Sequence, residues 1–120
     1  CVMCHKIDGK GSEYGPALKG FGQRQPADVV ARSMVDPSFD ISHGFEGHSL
    51  TMKDGKRIDG VIVSEGQTIA IRSNGGLIQE ILKKEIRANK PLGQSLMLSA
   101  DQLGLNAQDV ADIVEWMKSY

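Results

Sequence analysis

The sequence predicts a mainly α-helical domain with a small antiparallel β meander inserted over about residues 50–82. Three observations carry that expectation. Apolar residues repeat at helical spacing in "PADVVARSMVD" and again in the last dozen residues. Between them the period changes to two. Gly-containing dipeptides break that middle stretch at hairpin spacing.

Pro26 suits the first position of a helix, and Val29, Val30, Ser33 and Met34 fall on one face before Pro37 ends the run. In the middle, "IDGVIVS", "QTIAIRS" and "LIQEIL" read as strands, with Asp54-Gly55, Glu65-Gly66 and Asn74-Gly75-Gly76 as turns. That gives three or four strands. In the last segment Asn106 is a helix cap, Asp109 lies in the first turn, and Val110, Ile113, Val114 and Met117 form an apolar stripe. The expectation is one domain, residues 1–120, in which 1–49 and 83–120 form one helical part around the insertion.

The chain has 120 residues, enough for a single core without staples. Hydrophobic residues make up 40% but aromatics only 5%, so the core is aliphatic and a bound planar group would supply missing bulk. The net charge of −1 and the lack of a basic run argue against nucleic acid as a partner. No stretch approaches the roughly 18 apolar residues of a membrane span. The chain opens on its motif with no signal peptide ahead of it, so whatever came first is read as removed.

That motif is "CVMCH". Cys1 and Cys4 lie on one side of a helical turn, with His5 directly behind. Zinc would take four ligands, and two Cys with His5, His43 and His48 could supply them only in an unusual arrangement. A redox dithiol belongs between a strand and a helix, whereas a loop with Gly9, Gly11, Gly15, Gly20 and Gly22 follows here. The same placement argues against a dinucleotide fingerprint in its Gly-x-Gly pieces. The third reading is covalent haem, with each thiol forming a thioether and His5 placed under the iron. The other ring nitrogen of His5 would then donate to a carbonyl, and the "GPAL" turn offers that of Pro16.

For the opposite face of the iron the candidates are five Met and two His. Met3, Met34, Met52 and Met117 have ordinary packing or local roles, and His43 and His48 sit in a polar loop stretch. Met97 lies in an irregular segment shortly before the last helix, where a loop can cross a haem.

The order C-x-x-C-H, "GPAL", then "SLM" ahead of a helix ending "IVEWM" resembles the class I cytochromes c. It is similar in particular to a haem-binding domain found at the C-terminus of large multi-domain proteins, some with dehydrogenase-like modules. In that domain "DPS" (Asp36 to Ser38), Asp54-Gly55 and a strand-rich insertion separate the two haem-binding segments. The resemblance implies a cytochrome c-like helical haem domain with haem c as cofactor. It makes Cys1 and Cys4 the attachment sites, His5 and Met97 the iron ligands, and Pro16 the partner of His5. The chain departs from the pattern in lacking the helix before the motif and in carrying Leu98, not Pro, after Met97.

The resemblance implies an electron carrier, not an enzyme in itself. It would serve a redox partner protein or a fused dehydrogenase domain, in a periplasmic or exported bacterial setting. An uncovered face on the last helix would admit a weak dimer. The alternatives are a haem sensor or peroxidase-like protein with an open or displaceable distal position, and a binding module in which the insertion recognises a partner.

Overall fold

The computed structural model describes residues 1–120. The element order is β1 (Lys6–Ile7), β2 (Lys10–Gly11), α1 (Phe21–Arg24), α2 (Ala27–Val35), β3 (Gly47–Met52), β4 (Arg57–Glu65), β5 (Thr68–Arg72), β6 (Ile78–Leu82), β7 (Ile86–Pro91) and α3 (Ala107–Ser119), with 3-10 turns at Asn74–Gly76 and Lys83–Glu85. The chain is therefore not mainly α: 27% of it is helical and 29% is strand. The mainly α expectation is corrected by a five-stranded antiparallel sheet of order β6-β5-β4-β3-β7 and by helices that number only three, one of them a single turn.

The three Gly-containing turns fall between strands, as read. Asp54-Gly55 joins β3 to β4, Glu65-Gly66 joins β4 to β5, and Asn74–Gly76 joins β5 to β6. The sheet nevertheless begins earlier and ends later than residues 50–82. Its fifth strand β7 leaves β6 through a 3-10 turn, crosses to the far edge and pairs with β3 from His48↔Pro91 to Met52↔Ile86. An edge strand exposed along most of its length has no reason to show an apolar face. That is why "IRANKP" did not read as β.

Both edges feed one core. Leu50, Ile69, Ile71 and Ile81 are buried together, and Met52, Ile58, Ile62 and Ile86 pack on them. Ile81 belongs to one edge strand and Ile86 to the other, so the sheet rolls and closes its apolar face on itself. Irregularities at Thr51/Met52 and Ile62/Ser64 supply local bending.

The helices form a second, separate core of Val30, Met34, Ala100, Val110, Val114 and Met117. α2 begins at Ala27, immediately after Pro26, and its buried Val30 and Met34 are four residues apart. α3 opens on a complete capping box: the Asp109 amide donates to the Asn106 side chain, and the Asn106 amide donates to the Asp109 carboxylate. α1 approaches α3 so closely at Gly22 that a Cβ there would collide with the Met117 backbone. The end of α3 also ties down the loop behind the motif, since the Tyr120 hydroxyl accepts from the Asp8 amide at 2.9 Å. Within that loop, Asp8 and Gly9 both have positive φ and turn the short β1–β2 hairpin, a feature the glycine-rich reading passed over.

Replacing fully buried Leu50 with Ala should cost about 2–5 kcal/mol, whereas exposed Val63→Ala should stay within about 0.5 kcal/mol. Asn106→Ala should cost about 1 kcal/mol through the lost cap. Chemical denaturation of the three variants beside the parent checks all of these.

Candidate functional site: the Cys1–His5 turn

The motif forms one tight turn. The amides of Cys4 and His5 both donate to the Cys1 carbonyl, at 3.0 and 2.8 Å, so the thiols leave from the same turn and the imidazole follows on. Both thiols are free. Cys1 is exposed and Cys4 half-buried, with its Sγ 3.8 Å from the Asn74 side-chain oxygen.

His5, by contrast, is buried, only 7% exposed. Its Nδ1 lies 2.6 Å from the Pro16 carbonyl oxygen. A carbonyl can only accept, so Nδ1 carries the proton and Nε2 keeps its lone pair. Burial lowers the pKa of His5 below the usual imidazole value, against the opposing pull of the Pro16 bond. The ring is thus held neutral, in the tautomer a metal ligand needs.

Two neighbours make that geometry available. The Gly15 amide donates to the Cys4 carbonyl at 2.6 Å, which folds the "GPAL" turn back over the motif. Gly15 has no side chain because the ring occupies that space: a Cβ there would lie 2.6 Å from His5 Cε1 and 2.9 Å from Nδ1. Tyr14 beside it is buried, and burial, with Cys4 and Asp59 nearby, pushes its hydroxyl pKa up.

Met97 lies on the helical core's apolar wall. It packs with Leu18, Phe21, Ala27, Ala31, Leu105 and Ile113 against that buried cluster. Leu18 belongs to the "GPAL" turn, so the His5 side and the Met97 side meet the same wall. The loop is pinned from several directions: the Ser95 amide donates to Ser38 Oγ at 3.0 Å, the Met97 amide to Ser95 Oγ at 3.1 Å, and the Ala100 amide to the Met34 carbonyl at 2.7 Å. Ser38 closes the "DPS" segment. Leu92 and Leu96 lie against Gly47 at the start of β3, where a Cβ would be 2.9 Å from Leu96 Cγ.

The two other histidines take part elsewhere. His43 is fully exposed beside Glu46, 3.3 Å away, and His48 on β3 lies 2.9 Å from the Asn89 side chain on β7. No group of three or more His, Cys, Asp or Glu side chains is placed to hold a metal ion. No helix is long and apolar enough to cross a membrane.

The donor set fits a haem. Two thiols leave one turn, a neutral buried imidazole keeps Nε2 free, and an apolar wall carries a thioether sulfur. The sequence points to the Pro16 carbonyl that His5 meets; it shows Gly15 and Asn74 only as loop and turn residues and Ser38 only within "DPS", and it does not single out Ser95.

Gly15→Ala should displace the His5 ring and cost about 1–3 kcal/mol, whereas Gly66→Ala, with open space around it, should be near neutral. Denaturation midpoints of the two variants measure the difference.

Residues 1–59 match the family model for cytochrome c, a match that ends inside β4 and does not reach the Met97 loop. No curated protein matches the chain. The first half of the chain is thus similar to cytochrome c, a domain whose cofactor is covalently attached haem c.

Proposed function

We propose that the chain is a one-electron carrier in which Cys1 and Cys4 would hold the haem, and His5, through Nε2, and Met97 would ligate its iron. The cytochrome c match supports a haem-based electron-transfer role. The observation that carries the finer reading is the buried His5 ring donating from Nδ1 to Pro16, which leaves Nε2 as its only ligating atom. The whole chain acts as one unit, its haem-binding part built from the segments on either side of the rolled sheet.

The haem supplies a ferrous/ferric couple, and the chain's residues set its conditions. Pro16 fixes the ring plane and tautomer of His5. Ser38 and Ser95 hold the Met97 loop, so oxidation and reduction need no rearrangement of ligands. A thioether donor favours the ferrous state over a second imidazole. The apolar wall acts in the same direction, because a dry setting penalises the additional positive charge of ferric iron. Val2 and Met3, both exposed on the motif turn, offer the surface through which a partner reaches the attachment edge.

The partner in this reading is a separate redox protein or a dehydrogenase domain, and covalent attachment fits a periplasmic or exported site of assembly. A protein of this kind makes and breaks no substrate bond.

Absorption spectra of the oxidised and reduced protein, with Met97→Ala beside the parent, test the ligand set. The parent should show a methionine–iron charge-transfer band and resist carbon monoxide. The variant should lose the band and bind carbon monoxide when reduced. A parent lacking the band and binding carbon monoxide readily would instead favour a sensor or peroxidase-like protein.

A further inference from the structure

The loop that orients His5 is held from outside the helical part. Arg72, the last residue of β5, donates from Nη1 to the Glu13 main-chain carbonyl at 2.8 Å, and its Nη2 lies 4.0 Å from the Glu13 carboxylate. Its side chain is only 19% exposed. Arg57 on the neighbouring strand is different: 61% exposed, it pairs with Asp59 two residues away on its own strand. One guanidinium therefore reaches across to the motif loop, while the other stays on the sheet surface.

Two further contacts join the same end of the sheet to the same loop. Gly76 sits so close to Ser12 that a Cβ would lie 3.1 Å from the serine's own Cβ, and Cys4 Sγ lies against Asn74. The segment from Ser12 to Pro16 is thus seated on the β5–β6 end. Within it, Gly15 backs the His5 ring and the Pro16 carbonyl accepts a hydrogen bond from its Nδ1–H.

We propose that Arg72 is a positioning residue for the His5 imidazole: by holding the Glu13 carbonyl it fixes the strap whose next residues back the ring and orient its Nδ1–H. This rests on His5 being the haem's proximal ligand. A charged donor on a main-chain carbonyl makes a stronger tie than a neutral one, and the Arg72 side chain is itself largely covered. The planar fork suits Arg to the task, since it can face the carbonyl and the carboxylate of one residue together. Arg72 is itself well seated. It pairs with Val61 on β4, and Gly60 lacks a side chain where the Arg72 backbone crosses it. On this reading the inserted sheet determines how the iron's imidazole is aimed.

Proton exchange with solvent, followed by NMR on the reduced haem-loaded protein, tests this. The probes are the His5 Nδ1–H and the Gly15 amide, with the amides of Val110 and Val114 in α3 as reference. Arg72→Met keeps the aliphatic stem and removes every donor. It should speed exchange at His5 and Gly15 about tenfold while leaving α3 at parental rates. Arg57→Ala removes the same charge from the same sheet and should stay within about twofold of the parent at both probes. Parental rates at His5 and Gly15 in Arg72→Met would overturn the proposal. So would equal acceleration in Arg57→Ala, or an acceleration shared by α3, which would mark general destabilisation. If Arg72→Met does not fold, Arg72→Gln, too short to reach Glu13, carries the same expectation and the same refutation. The underlying ligand reading fails separately, if the His5 ring resonances show no displacement by the haem.

Discussion

The hydrogen bond from His5 Nδ1 to the Pro16 carbonyl is the constraint on which the site depends. It decides which ring nitrogen is free. The imidazole is buried, so rotating it or moving its proton would leave a polar atom without a partner in an apolar setting. Everything local follows from keeping that carbonyl in place: the absent side chain at Gly15, the return of the Gly15 amide onto Cys4, and the tie from Tyr120 to the loop that precedes the turn.

Two cores divide the remaining labour. The helical core is aliphatic and small, and much of its apolar surround is only half-buried, which suits a wall that faces a flat cofactor. The sheet has its own buried cluster and closes on itself. What joins them is polar and directional: Arg72 on Glu13, Asn74 beside Cys4, and the seating of Ser12 on Gly76. Polar contacts of this kind fix orientation more than they add stability, and orientation is what a ligating ring requires.

The sequence was legible where local chemistry decides structure. Asn106 and Asp109 announced the start of α3, the Gly turns announced three hairpins, and C-x-x-C-H with "GPAL" announced the motif turn and its carbonyl. It was illegible where tertiary position decides. Strand β7 is an exposed edge and shows no apolar period, and β3 begins inside a polar, glycine-containing stretch because Gly47 is needed for close approach to Leu92 and Leu96. These omissions, together with the overlooked β1–β2 hairpin, led to the overstatement of helix. The ties from Ser38 to Ser95 and from Arg72 to Glu13 span long sequence distances and leave no local pattern.

The two ends of the rolled sheet meet: the Leu92 amide donates to the Gly47 carbonyl at 2.9 Å. A long excursion of the chain therefore returns to the point it left, and in topological terms residues 47 and 92 behave almost as sequence neighbours. Closing a long flexible loop has an entropic cost that grows only slowly with length. Once the strands have zipped together, the distance left for Met97 to search is that of a short connection. The sheet thus acts as a staple that returns the chain beside its point of departure, a few residues ahead of Met97.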